Sequence, residues 1–174
     1  SVPVPEGSAH LLNQIWDAVP KTQRQNPALI GVYARRLLEL NEMDECESLL
    51  RGALKRQWDH NLGLLYGFVR SADAEGQLKV AEGWLKSNPY SANLLLTLGR
   101  LAAANELWDK ARTYLTESLS TRPSPEAAYA LGRLLEQLDE GDAARAAYRR
   151  GLELSGDGTA EAPRTSISRQ RAVS

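Results

Sequence analysis

The sequence predicts an all-α fold: a right-handed superhelix of antiparallel helix hairpins, with one N-terminal helix followed by about four repeats. Three observations carry this. Leu98-Gly99, Ala102, Ala111, Leu115 and Ser118 recur as Leu131-Gly132, Leu135, Ala144, Tyr148 and Gly151 at a constant offset of 33 residues. Within 92–124 the apolar residues fall on one face of each of two helices, Leu94, Leu95, Leu98, Leu101 and Ala102 on the first and Leu107, Ala111, Tyr114, Leu115 and Leu119 on the second. Pro89 and Pro123 stand 34 apart, each where a second helix must stop.

A hairpin with one apolar face per helix cannot bury both faces alone, so such units stack. The period, with Gly99 and Ala111 as small residues that let two backbones approach, is that of a tetratricopeptide repeat. In chain order, residues 1–7 are Pro-rich and expected to be a disordered linker. Residues 8–26 form a helix and connector: Ser8 is the expected N-cap, Leu11, Leu12, Ile15, Trp16 and Val19 recur at helical spacing, and Pro20 ends the helix.

The repeat domain spans 27–158. Its first unit, 27–57, opens on Pro27 and carries Ile30, Tyr33, Ala34, Leu37 and Leu38, then the turn Asn41-Glu42-Met43-Asp44, then Cys46, Leu49, Leu50, Ala53 and Leu54. The second, 58–91, diverges. An apolar run, Leu62 to Val69, precedes a loose turn, and Gln77 occupies the small-residue slot that Cys46 and Ala111 fill, which predicts a wider helix pair or a shifted register. Units 92–124 and 125–158 are regular. Residues 159–174 are polar and aperiodic, an expected disordered tail.

Composition narrows the function. Hydrophobic residues make up 43%, enough for a continuous core, and 21 basic against 22 acidic residues leave no global field directed at nucleic acid. Cys46 is the single cysteine, which excludes an internal disulfide. No run reaches the roughly 18–20 apolar residues of a spanning helix, and no signal pattern opens the chain. The start without Met reads as a boundary, which predicts the soluble part of a longer protein. No Gly-rich phosphate turn, paired acid and base, or metal-ligand spacing is present; His10 and His60 are far apart and neither sits in a ligand motif. The expectation is no catalytic residue, no resident cofactor and no metal.

The candidate binding residues follow from register. The solvent side of each first helix faces the concave surface, where one slot is read as Arg35, Tyr66, Arg100 and Arg133, with Asp59, Arg70, Asn93, Glu126 and Tyr129 nearby. Guanidinium forks pair bidentately with carboxylates and tyrosine adds apolar contact, so this wall suits an acidic peptide or protein segment. The competing reading pairs these arginines with Glu39 and Glu136 on a plain solvated face. His60, at the start of a repeat helix, admits haem as an axial ligand; a capping or exposed histidine is the plainer alternative. Cys46 and the tryptophans Trp16, Trp58, Trp84 and Trp108 are assigned to packing, and the arginines of the tail, Arg164, Arg169 and Arg171, to solvent or to an anionic lipid surface.

The segments LLRGALKRQWD (49–59), LLYG (64–67), AEGWLKSNP (81–89), LLLTLGRLAAANELWDKARTYLTESL (94–119) and LLEQLDEGDAARAAYRRGL (134–152) go beyond generic repeat slots. Through them the chain resembles the C-terminal tetratricopeptide domain of the HemY family, bacterial inner-membrane proteins named from their association with haem-biosynthesis genes. The resemblance implies a membrane-anchored scaffold acting in late protohaem synthesis, its two spanning helices outside this sequence, its partners haem-biosynthesis enzymes and this domain on the cytoplasmic side. A flavin-dependent protoporphyrinogen oxidase that shares the name has a Gly-rich strand-to-helix turn that this sequence lacks. The expected function is therefore a non-enzymatic protein-binding scaffold. A haem or porphyrin carrier or sensor is the alternative, and self-association through open end faces a third.

Overall fold

The first helix of each hairpin begins where a short polar side chain folds back onto the first free amides, and these caps set the period of the molecule. Asn26 Oδ1 accepts from Ala28 N, Asp59 Oδ1 from Leu62 N, Ser91 Oγ from Leu94 N and Ser124 Oγ from Ala127 N. The caps are spaced 33, 32 and 33 residues apart, and each opens the first helix of a hairpin. The computed structural model describes residues 7–156. The expectations for the linker, apart from Gly7, and for the tail lie outside the described residues.

The described residues form nine α-helices and one short 3-10 turn. Helix α1 (Ser8–Ala18) precedes the hairpins α2 (Pro27–Glu39) with α3 (Met43–Arg56), α4 (His60–Tyr66) with α5 (Ala74–Trp84), α6 (Ala92–Ala104) with α7 (Trp108–Thr121), and α8 (Pro125–Gln137) with α9 (Gly141–Leu154). The fold is the tetratricopeptide-like superhelix that the repeat pattern predicts. Ser8 is not the cap of α1; the cap position is Gly7, with φ 84° and no side-chain bond, so α1 starts one residue early.

Three hairpins turn the same way. Asn41, Glu106 and Asp139, each 15 residues after its cap, have φ of 62°, 57° and 59°. Asn and Asp tolerate this left-handed region; Glu does so at a cost. The residues four after the second-helix cap, Cys46, Ala111 and Ala144, are fully or almost fully buried, as small packing residues should be. At Gly99 the approach is so close that an added Cβ would lie 2.5 Å from Leu115 Cγ.

The second hairpin breaks the pattern. Helix α4 stops after seven residues, and α4 and α5 approach less closely than the partners of the other hairpins. Gln77, in the small-residue slot, is buried and replaces the missing helical bonds. Its Nε2 donates to Tyr66 O (3.3 Å) and Val69 O (3.2 Å), and its Oε1 accepts from Ser71 N (3.4 Å). The long side chain adds a second donor to each of these carbonyls, since Tyr66 O also accepts from Val69 N (3.2 Å) and Val69 O from Arg70 Nη1 (2.9 Å).

Helix α6 is the centre. Nine of its 13 residues are buried, and it packs against α4, α5, α7 and α8. On one side it joins the core of the first two hairpins through Leu94, Leu98 and Leu101; on the other Leu96 and Ala102 join Ala111, Leu115, Ala127 and Leu134. Its polar core atoms are paired: Thr97 Oγ1 donates to Gly63 O and Ser118 Oγ to Ala92 O, both at 2.8 Å.

Candidate functional site

Counting from the caps gives the equivalent positions of the four first helices. The ninth residue after the cap is Arg35 on α2, Phe68 just past α4, Arg100 on α6 and Arg133 on α8. The slot assigned to Tyr66 from sequence therefore belongs to Phe68, because the second unit is 32 residues long, not 34. Tyr66 points into the core, fully buried, and its hydroxyl donates to Glu47 Oε1 at 2.6 Å. Burial, this bond and the adjacent Glu47 charge all push its pKa up. It is a core residue, and no part of a binding wall.

Phe68, Arg70, Arg100, Tyr129 and Arg133 surround a hollow of about 330 Å³. Its floor is small and apolar, with Gly99, Ala103, Ala104 and Ala130. The Arg100 guanidinium lies 4.1 Å from the centre of the Phe68 ring, a cation–π contact of about 0.5–2 kcal/mol that fixes both side chains. Arg70 is anchored by the unwound end of α4, where its Nη1 donates to Gly67 O (3.0 Å) and Val69 O (2.9 Å). Tyr129, 57% exposed, rests against the Tyr148 ring at 5.7 Å.

The charges in this hollow have no ion-pair partner, although the Glu126 carboxylate acts on Arg100 from a distance. Arg70, Arg100 and Arg133 take part in no ion pair among the described residues, a condition they share with Arg35, Arg56, Arg122 and Arg149, but only these three line one cavity; Arg24, Arg36, Arg51, Arg112, Arg145 and Arg150 each have a carboxylate partner. Glu39 is engaged by Arg36 and Glu136 by the Tyr148 hydroxyl, so the plain pairing reading fails for Arg35 and Arg133. Burial pushes the Arg100 guanidinium down to about 10; Glu126 opposes the shift and Arg70 adds to it. Arg70 is also lowered, first by burial and then by the neighbouring positive charge of Arg133. Both remain cations at neutral pH.

The other sequence candidates lie elsewhere. Arg35 lines a separate cleft between α1 and α2. Asn93 is at one edge with His60, Tyr90 and Arg122, where its Oδ1 accepts from Arg122 Nη2 at 2.5 Å. Asp59 is spent as a cap. His60 Nδ1 accepts from Trp58 Nε1 (3.2 Å), and His60 is not part of the arginine hollow. Among the described residues no three His, Cys, Asp or Glu side chains gather to hold a metal. Cys46 is buried with its Sγ 3.5 Å from Ala34 O, and burial followed by Glu45 and Glu47 pushes its thiol up to about 12, which makes it inert packing. Sequence reasoning missed Phe68; the count from Asp59 would have found it.

No family model matches the chain. In sequence it is 28% identical over 149 residues to Protein HemY of Escherichia coli (strain K12) and of Shigella flexneri, covering 86% of this chain. The resemblance to HemY thus extends over most of the sequence. The chain spans 37% of the length of these relatives. In structure it is similar to TTC0263, a thermophilic tetratricopeptide protein of Thermus thermophilus, with a TM-score of 0.65, 22% identity and coverage of 84% of this chain and 81% of that one. It is also similar to MamA of Desulfovibrio magneticus RS-1, with a TM-score of 0.55, 16% identity and coverage of 79% and 80%. These structures share the fold. No helix among the described residues is long and apolar enough to cross a membrane.

Proposed function

We propose that this protein is a non-enzymatic scaffold whose hollow, walled by Phe68, Arg70, Arg100, Tyr129 and Arg133, holds an acidic segment of a partner protein. The fold is that of an interaction scaffold; the partner and its seat are the proposal. The observation that carries it is the convergence of three guanidiniums, none with a carboxylate in ion-pair range, on an apolar floor. Like charges held together and partly desolvated raise the energy of the empty site, and an anion that enters relieves that cost. A pre-formed wall, with Arg100 held on Phe68 and Arg70 held on backbone carbonyls, leaves little to order on binding.

The likeness to HemY supports an association with haem synthesis at a bacterial inner membrane, with haem-biosynthesis enzymes as the partners that carry the acidic segment. A titration with a labelled peptide bearing two glutamates beside a phenylalanine, against its glutamine counterpart, tests the hollow. The Arg100→Ala/Arg133→Ala protein is expected to bind the acidic peptide about tenfold or more weakly, with unchanged helical content. Equal affinity of both proteins removes the hollow from the account.

A further inference from the structure

The floor of the arginine hollow is dug into α6. Twelve and thirteen residues after their caps, α2 carries Leu38 and Glu39 and α8 carries Glu136 and Gln137, whereas α6 carries Ala103 and Ala104. In the second hairpin the same two places fall beyond the end of α4, at Ser71 and Ala72. Short side chains where the other full-length first helices carry long ones leave a pit at the turn end of the hollow, with Ala130 of α8 lining the same space. Close helix packing accounts for the buried Ala102 and Ala111, but Ala103 is only half-buried and Ala104 is exposed, so it does not account for these two.

Two aromatic rings line the same hollow, Phe68 from the end of α4 and Tyr129 from α8, and each is more than half exposed. Both are held in place, Phe68 by the Arg100 guanidinium and Tyr129 by the Tyr148 ring. Carboxylates satisfy Arg70, Arg100 and Arg133 but gain nothing from alanines and ring faces; an apolar group that leaves water for this surface does. The residues after 156 do not bring the charge that the wall calls for, since they carry Arg164, Arg169 and Arg171 against Asp157 and Glu161. We infer that the partner segment seats one large apolar side chain, phenylalanine or leucine, in the pit between its acidic residues, and that Ala103 and Ala104 set this selectivity by being short. Such an anchor presupposes that the hollow holds an acidic segment, as proposed above, and adds to it a contact that charge does not supply.

Labelled peptides with glutamate on both sides of a central phenylalanine, leucine or alanine test it, beside the phenylalanine peptide with both glutamates changed to glutamine. Each is titrated into the full wild-type chain and into Ala103→Leu and Ala104→Gln, which give α6 the side chains that α2 and α8 carry at those places. Wild type is expected to bind the phenylalanine peptide about tenfold more tightly than the alanine peptide, with leucine between them, as burial of most of a ring requires. In each filled variant that preference is expected to fall below about twofold, because the pit no longer admits the ring. The same variants should still favour glutamate over glutamine, since all three arginines remain. Circular dichroism checks that they keep their helices. A wild type indifferent to the central side chain, or a filled variant that keeps the full preference, overturns the anchor and leaves the acidic site standing. A wild type that does not tell glutamate from glutamine overturns both.

Discussion

The third hairpin and the second hairpin solve the same packing problem in different ways. In the third, a glycine and an alanine bring α6 and α7 together, and a single left-handed residue, Glu106, makes the turn. In the second, α4 ends six residues sooner than its counterpart and a buried glutamine stands in for the missing turns. The period nevertheless holds to within one residue, because it is set at the caps and not inside the hairpin. The early stop is also what furnishes the hollow. It frees Phe68 and Arg70 from a helix and turns them toward Arg100 and Arg133.

If Gln77 takes over the bonds of a truncated helix, its removal should be the most damaging change in this comparison. Gln77→Ala removes three hydrogen bonds, leaves the Ser71 amide without this acceptor and opens a cavity at a buried site, and a loss of about 2–4 kcal/mol is expected in urea unfolding. A loss below that of an ordinary surface substitution would mean that α4 ends for some other reason.

Tyr66→Phe comes next. It leaves the almost buried Glu47 with only Arg51, 3.4 Å away, and an expected cost of about 1.5–3 kcal/mol. Tyr148→Phe, whose pair with Glu136 is exposed in the regular fourth hairpin, should cost under about 0.5 kcal/mol. The tyrosines also set an alkaline limit. Tyr114 is pushed up to about 12 by burial, by its bond to Glu82 and by the Glu82 charge; Tyr66 is pushed up in the same direction. The folded state keeps these protons past the value near 10 at which an unfolded tyrosine releases its own, so their contribution is whole below about pH 10 and is lost as pH rises through the folded value. Thermal melts of the wild type should fall steeply in that window, and those of Tyr66→Phe less so.

Smaller effects separate the two hairpins at their glycines. Gly99→Ala drives a methyl into Leu115 and should cost about 1–2 kcal/mol. Gly83→Ala on α5, with open space around it, should gain about 0.5–1 kcal/mol. Glu106→Gly relieves a left-handed glutamate and should also gain about 0.5–1 kcal/mol.

Much of the architecture was legible because caps, prolines and apolar stripes are local signals. Asn26-Pro27 and Ser124-Pro125 announce helix starts, and the offset of 33 between the third and fourth units holds from Leu98-Gly99 and Leu131-Gly132 through Ala111 and Ala144 to Ser118 and Gly151. The end of α4 was not legible, since the apolar run from Leu62 to Val69 has no proline to stop it and fits a longer helix equally well. That one omission moved Tyr66 into the hollow and Phe68 out of it. Arg70, Arg100, Tyr129 and Arg133 were named from register and do share one cavity; Arg35 and Asn93 were named by the same reasoning and line others. The Tyr66 to Glu47 and Tyr114 to Glu82 bonds span 19 and 32 residues and leave no trace in local spacing.

The charge of the hollow can be inverted without touching the core, because Arg100 and Arg133 are only partly buried or exposed and take part in no ion pair among the described residues. Affinities of acidic and basic versions of one peptide for wild type and for Arg100→Glu/Arg133→Glu give the most direct measurement. Wild type should prefer the acidic peptide and the variant the basic one, both preferences shrinking with added salt. An unchanged preference for the acidic peptide in the charge-reversed protein would contradict the assignment of the hollow as the binding site.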